Sequence, residues 1–274
     1  MGRIITLTTD FGLADPYVAV MKGVILSISP QATVVDVTHE VAPQRIVQAV
    51  YLTGCAWPHF PPGSIHLAVV DPGVGTERRA IIVEGPRALY VGPDNGVLSA
   101  ALPEEARSMA RGEGPAAVPL PQGYRAFLIA EPRFLRQPVS DTFHGRDVFA
   151  PAAAHLSLGV PPAEFGEAVG SLLALPPIRA GRRADGALVG HVVHVDRFGN
   201  LVTDVRVEDL PGGRLRVEIA GRTVEGLART YADAEGLVAM MGSSGYLEVA
   251  EPGGSAAASL GAGVGEAVVV RAAG

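Results

Sequence analysis

Short apolar runs, separated by polar, glycine- and proline-containing breaks, fill the first two-thirds of the chain, and their lengths fit strands alternating with helices. Residues 3–9 read as a strand, as do TVVDV (33–37) and SIHLAVV (64–70). Between the first two, Asp15-Pro16 reads as an N-cap followed by proline at the first helical position, opening a helix that Pro30 stops. Pro43 begins a second helix that runs to about Ala56. Residues 79–84 and 88–91 read as further strands, and Pro93-Asp94-Asn95-Gly96 has turn composition and leads into a short helix. Arg146 to Leu158 is another helix, with Gly159 as its stop. This rhythm predicts an α/β N-terminal domain built on a mostly parallel, helix-covered sheet.

Near residue 174 the pattern changes. Residues 174–187 (ALPPIRAGRRADGA) mix proline, glycine and charge without periodicity, as a linker does. Beyond it only short strands are predicted, at 187–195, 201–205, 214–219, 222–226, 236–240, 245–249 and 266–271, with Ala220-Gly221 as a hairpin turn. The chain therefore divides into an α/β domain over residues 1–175 and a smaller all-β domain over residues 188–274. No segment recurs at a fixed period.

Composition narrows the class. With 34 Gly and 22 Pro in 274 residues and no glycine period, the chain is rich in turns and site-bearing loops but is not collagen-like. Hydrophobic residues at 48% and charged residues at 18% exclude global disorder. A net charge of −6 argues against nucleic-acid binding. The single cysteine, Cys55, excludes an intrachain disulfide framework and suits a reducing cytoplasm. Only Lys22 breaks an otherwise all-arginine set of basic residues, a mark of a GC-rich genome. No apolar run reaches the ~18–20 residues of a membrane span. The start, MGRIITLTTD, matches a myristoylation pattern but reads as a buried strand rather than a leader.

Candidate chemistry gathers where strands end. Asp10 follows the first strand, Asp36 and His39 the second and Asp71 the third, and ligands of open α/β sheets bind outside the carboxyl ends of strands. In VVDPGVGTERR (69–79) an acid leaves a strand into a Pro-Gly-x-Gly turn, and Arg78 and Arg79 follow seven and eight residues later. The glycines permit close backbone approach. A dinucleotide fingerprint is excluded because residue 78 is arginine, and no Gly-Lys-Ser/Thr phosphate loop occurs. SDTFHGRDVF (140–149) puts His144 in a loop before a helix, where Asp141, Arg146 and Asp147 read as capping and charging residues. HVDRFGNLVTDV (194–205) carries Asn200 in a turn, with an amide able to meet a base edge as donor and acceptor. Tyr231, Ser243 and Ser244 fall in later loops.

Taken in order, TLTTDFGLADPYVAVMKGVI (6–25), TVVDVTHEVAP (33–43), VVDPGVGTERR, YVGPDNGVL (90–98), DTFHGRD (141–147), VDRFGNLVTD (195–204) and GSSGYLEVA (242–250) resemble the S-adenosylmethionine (SAM) hydroxide adenosyltransferase family, relatives of the fluorinase and chlorinase enzymes. The resemblance implies hydrolysis of SAM to adenosine and methionine without a cofactor, in a homotrimer whose sites lie between the N-terminal domain of one subunit and the C-terminal domain of the next. It places a catalytic set on Asp71, Arg78 and His144, ribose binding on Asp10 and sugar packing on Phe143. Methionine recognition falls on Asp15, Asp196 and Ser243, and adenine contacts fall on Asn200 and Tyr231. Halogenating relatives have Tyr in place of Asp71 and Tyr-Ser in place of His144-Gly145, so the halide-cradling serine is absent here. They also have Arg at the position of Ser244, which leaves the partner of the methionine carboxylate open.

Attack at the ribose C5′ releases neutral methionine from a sulfonium, so the reaction needs an oriented, deprotonated water more than it needs a metal. The residues leave the base open between His144 and Asp71, with Arg78 orienting the acid. Arg79, one position further along a strand, is expected on the other face and of little consequence. Two rivals stand beside this reading. One is a metal-dependent phosphoesterase on Asp10, Asp36, His39, Asp71 and His144. The other is a non-catalytic SAM or adenosine sensor.

Overall fold

In a computed structural model of the chain, which describes residues 2–112, 114–233 and 235–273, the first apolar run forms strand β1 (Ile4–Thr9). It is followed by α1 (Tyr17–Ile28), β2 (Thr33–Thr38), α2 (Ile46–Ala56), β3 (Ile65–Val69), β4 (Ala80–Glu84) and β5 (Leu89–Pro93). Next come α3 (Glu104–Arg107), β6 (Ala116–Pro119), β7 (Arg125–Leu128), α4 (Ala150–Ser157), β8 (Ala168–Val169) and β9 (Ser171–Ala174). Seven of the strands form one sheet in the order β2-β1-β3-β5-β4-β7-β8, while β6 and β9 pair separately.

Only half of that sheet is parallel. The pairings β1/β2, β1/β3 and β3/β5 are parallel, whereas β5/β4, β4/β7 and β7/β8 are antiparallel. The expectation of a mostly parallel sheet is therefore corrected to a mixed one. The cause is chain length. Only Gly85–Ala88 separates β4 from β5, closed by a Gly85 N–H to Ala88 carbonyl bond of 3.0 Å. So short a link makes a hairpin and cannot hold the crossover that parallel neighbours need.

Both faces of the sheet are covered. On β3, Ile65, Leu67 and Val69 pack with Ile5, Leu7, Met21, Ile25 and the Ala152–Ala154 face of α4. Ala68 and the following Val70 join Ala49, Trp57, Val97 and Leu98 on the opposite side. Alternate side chains of a strand point to opposite faces, which is why this central run is apolar throughout apart from His66. The proposed cap of α1 is also corrected. Pro16 itself is the capping residue, with no side-chain cap bond, and Asp15 is exposed.

The chain divides between Pro177 and Ile178 into two compact units. The second contains β10 (Gly181–Arg182), β11 (Leu188–Val195), β12 (Leu201–Arg206), β13 (Leu215–Ile219), β14 (Arg222–Glu225), β15 (Val238–Met241), β16 (Tyr246–Ala250), α5 (Ala256–Leu260) and β17 (Ala267–Ala272). Their order is β14-β13-β17-β11-β12-β16-β15, with β10 on β11, and every ladder is antiparallel in a nearly closed, barrel-like sheet. Residues 178–187, read above as linker, thus belong to this unit. Ala220 (φ +47°) and Gly221 (φ +71°) both take the left-handed conformation that a two-residue hairpin turn demands.

His66 is the one ionisable group inside the central strand. It is 2% exposed, stacks on Trp57 at 5.0 Å and meets Thr6 Oγ1 through Nδ1 at 2.9 Å. Burial pushes its pKa down from 6.5 to about 4. The unfolded chain therefore takes up a proton that the folded chain refuses, and stability falls as pH drops through that window, by up to about 3 kcal/mol. The stability advantage of the wild type over His66→Gln, measured from urea midpoints, should shrink steadily from about pH 7 to about pH 4. A pH-independent advantage would refute this.

Candidate active site

At the carboxyl ends of β1 and β3, three loops surround a cavity of about 600 Å³. Asp10 and Phe11 follow β1, Asp71, Pro72 and Val74 follow β3, and Ser140 and Thr142–Arg146 come from the loop before α4. Tyr17, Pro43, Gln44 and Val69 complete the lining. Phe11, Tyr17 and Phe143 meet edge to face with ring centres 5.3 to 6.0 Å apart, giving the cavity one aromatic wall.

Arg78 joins two of these loops. Its Nε donates to Asp71 Oδ2 at 2.9 Å and its Nη2 donates to the same oxygen. Nη2 also stands 2.7 Å from His144 Nδ1. A guanidinium has no lone pair to offer, so Nδ1 is the acceptor and the proton of neutral His144 sits on Nε2. Burial, followed by the charge of Arg78, lowers the His144 pKa and keeps the ring neutral. The Arg78 and Asp71 side chains are only 10% and 5% exposed. The guanidinium also lies 5.2 Å from the Phe149 ring centre.

Local sequence makes this meeting possible. Gly75 has φ +77°, and a Cβ there would stand 2.5 Å from the Asp141 carbonyl oxygen. Only glycine lets the 71–78 loop lie against the 141 backbone. Asp147 is fully buried and, rather than merely charging a helix, clasps the His144 loop. It accepts from the Ser140 N–H at 2.9 Å and from Arg146 Nε at 2.7 Å. Gly145–Phe149 form a π-helical turn that runs directly into α4, so the helix expected from Arg146 is present with its first turn widened. A Cβ at Gly145 would come within 3.2 Å of Met21 Sδ and of the Phe143 ring, leaving little room for a larger residue.

The PDNG motif supports the same site from behind. Asn95 Nδ2 donates to the Val70 carbonyl at 2.9 Å, fixing the residue before Asp71. Arg79 turns away from Asp71, as strand alternation predicts, to partners of its own. Its Nε donates to Asp94 Oδ2 at 2.8 Å and its Nη2 to the Ser171 carbonyl at 3.0 Å. The Asp94 side chain is 1% exposed and burial raises its pKa, but it also accepts from the Leu173 N–H at 2.7 Å and so keeps a backbone partner beside the 36% exposed Arg79.

Asp10, Asp71, Phe143 and His144 thus line one cavity, with Arg78 bonded to two of them. Asp10 accepts from the Gln44 N–H at 2.8 Å, and burial, with the Asp71 charge adding to it, raises its pKa. Asp15 does not line the cavity. The five candidate metal ligands do not converge: Asp36 and His39 are engaged with Lys22 and Thr9, and Asp71 and His144 with Arg78. Among the described residues no group of three His, Cys, Asp or Glu is placed to hold a metal ion. Gln44, Tyr17 and Asn95 are site residues that residue type alone did not disclose. The signal for Gln44 was the loop after a strand, and for Asn95 a turn motif next to an arginine pair.

The second unit carries its own polar group. Asp196 Oδ1 accepts from the N–H groups of Phe198 and Asn200, both at 2.9 Å, and Oδ2 accepts from Asn200 Nδ2 at 2.8 Å. One amide proton of Asn200 is therefore committed, leaving its Oδ1 and other N–H. Tyr231 donates to Glu248 Oε2 at 3.4 Å. Glu248, absent from the sequence reading, is 8% exposed, and burial and then the Asp196 charge raise its pKa. Ser243 is exposed in the turn before β16.

Known proteins resemble the chain over nearly its whole length. Residues 5–166 match the family model described as the SAM hydroxide adenosyltransferase N-terminal domain, and residues 190–269 match that of the C-terminal domain. A Thermus thermophilus protein named (R)-S-adenosyl-L-methionine hydrolase is 42% identical, over 94% of this chain and 96% of its own. A fluorinase from Nocardia brasiliensis is 28% identical over 93% of this chain and 92% of its own. A solved structure of an uncharacterized conserved protein from Thermotoga maritima superposes with a TM-score of 0.83 at 31% identity, covering 97% of this chain and 99% of the other. With both of its units matched in order and relatives aligned over nearly its full length, the chain belongs to the SAM hydroxide adenosyltransferase family.

Proposed function

We propose that this protein hydrolyses S-adenosyl-L-methionine to adenosine and L-methionine by in-line attack of water on the ribose C5′. The observation that carries the mechanism is the Arg78 Nη2 contact with His144 Nδ1. It occupies the one lone pair of neutral His144 and leaves Nε2–H as a donor, so the base is Asp71. In the proposed step the water oxygen bonds to C5′, the C5′–S pair moves onto sulfur to give neutral methionine, and a water proton passes to the Asp71 carboxylate. His144 orients the water through Nε2–H, and Arg78 holds both partners in register. In a site shielded from solvent, the sulfonium and the developing hydroxide attract far more strongly than in bulk water.

Asp10 would accept from the two ribose hydroxyls, and Phe143 would pack along the sugar. In the same reading Asn200 meets the adenine edge, Tyr231 stacks on the base, and Asp15, Asp196 and Ser243 take the methionine end. Asp196, Asn200, Tyr231 and Ser243, all from the second unit, would come from another copy in a homotrimer.

Incubation with SAM in oxygen-18 water should give adenosine carrying one solvent oxygen at C5′, even with excess chloride or fluoride. A 5′-halo-adenosine as main product would sink the proposal.

Asp71→Asn, Arg78→Ala and His144→Ala should each lower turnover by about 10²-fold or more with SAM binding largely kept. Because the His144 pKa is lowered, the ring stays neutral below the ordinary histidine value, and protonation would set two cations against each other. The acid limb of the kcat profile due to His144 should therefore lie below that ordinary value and vanish in His144→Gln. An acid limb that persists in this variant would assign it elsewhere.

Mixing inactive Asp71→Asn protomers with inactive Asp196→Asn, Asn200→Ala protomers tests the shared site. After verified subunit exchange, activity should return. Mixtures that stay dead would reject sites shared between copies and leave the hydrolysis reading standing.

A further inference from the structure

The segment TVVDVTHEVAP ends in a buried histidine that does not line the cavity. His39 is 3% exposed and stands just beyond β2. Its Nδ1 lies 2.8 Å from Thr9 Oγ1, and that same oxygen accepts from the Phe11 N–H at 3.3 Å. Asp36 Oδ1, a carboxylate oxygen that can only accept, faces His39 Nε2, so in the neutral ring the Thr9 O–H donates to Nδ1. The His39 proton then sits on Nε2, 3.0 Å from Asp36 Oδ1 though off the line of an ideal hydrogen bond. Asp36 Oδ2 in turn accepts from Lys22 Nζ of α1 at 2.6 Å. The backbone adds a second grip, because the His39 carbonyl accepts from the Gly12 N–H at 2.8 Å.

His39 thus holds the corner that carries Asp10 from both sides, through its side chain at Thr9 and through its carbonyl at Gly12. The loop that follows His39 completes the support. Gln44 takes φ +65°, in the left-handed region that non-glycine residues rarely occupy, and its N–H meets Asp10 Oδ2 at 2.8 Å. Strain of this kind persists only where the surroundings fix it. A carboxylate that must face two neighbouring hydroxyls needs an orientation held within tenths of an ångström, and a loop alone does not provide that.

We infer that His39, backed by Asp36 and Lys22, is a positioning residue that sets the orientation of Asp10 for two adjacent sugar hydroxyls, and so sets the preference for ribose over deoxyribose. The inference rests on the ribose reading of Asp10 given above. It assigns the histidine of this motif to second-row support and not to metal ligation or proton transfer.

The test compares the binding of adenosine with that of 2′-deoxyadenosine by calorimetry on the full-length protein, alongside KM and kcat for SAM. The wild type should favour adenosine, and Asp10→Ala should abolish the preference. His39→Ala should reduce the preference about ten-fold and raise KM more than it lowers kcat. His39→Asn, whose amide oxygen can accept from Thr9, should restore most of the preference. Thr9→Val removes the hydroxyl from the other end of the bond and should repeat the His39→Ala loss, with the double variant no worse than either single one. If Asp10→Ala abolishes the preference while folded His39→Ala and Thr9→Val keep it, the positioning role is wrong. If Asp10→Ala itself keeps the preference, the ribose reading of Asp10 falls, which is a separate failure.

Discussion

A buried guanidinium constrains the whole N-terminal site. Arg78 keeps its charge at any functional pH and offers only donors, in a rigid fork. Its side chain is 10% exposed, so its protons must be met by protein acceptors. Asp71, released from the end of β3, supplies a carboxylate, and His144, from the loop before α4, supplies a ring nitrogen. Two loops far apart in sequence are thereby tied to one cation, and the tautomer of the histidine is settled by the same contact. Because Arg78 occupies that nitrogen, neutral His144 is left with a donor and no free acceptor.

Other features of the unit serve this meeting or mirror it. Gly75 gives up a side chain so that the two loops can touch, and Asp147 fixes the path of the second loop. Asn95 grips the backbone one residue before Asp71. Arg79, partly exposed, and the buried Asp94 form a second ion pair. On the far side of β1, Lys22, Asp36, His39 and Thr9 form a third polar cluster, whose end reaches the amide beside Asp10. In each cluster a buried polar atom meets another, which is the condition for keeping such groups in an apolar frame without a large loss of stability.

The mixed sheet shows how close a local reading came and where it stopped. The strands β4 and β5 were visible as apolar runs, and their direction was implicit in the residues Gly85–Ala88 between them. Counting link length against the span of a crossover would have given the antiparallel half. Asp15 shows a different gap. Asp followed by Pro has the composition of a capped helix start, yet Pro16 itself takes the cap position and the acid stays in solvent. Arg79 shows a third: strand alternation correctly sent it away from Asp71, but nothing local told that a buried acid waited at residue 94.

By itself the sequence determined the strands β1 to β5, the helices α1, α2 and α4, the strands after residue 187, the start of the all-β part to within about ten residues, and which polar residues stand at strand ends. These follow from apolar period, proline and glycine, all of which act between near neighbours in the chain. The motif set also determined the family. Only the tertiary structure decided which charged groups meet. Arg78 with His144 and Thr9 with His39 are pairings across 66 and 30 residues. Lone-pair occupancy, burial and the resulting protonation state depend on what stands within a few ångströms in space, and the order of residues along the chain does not encode that directly.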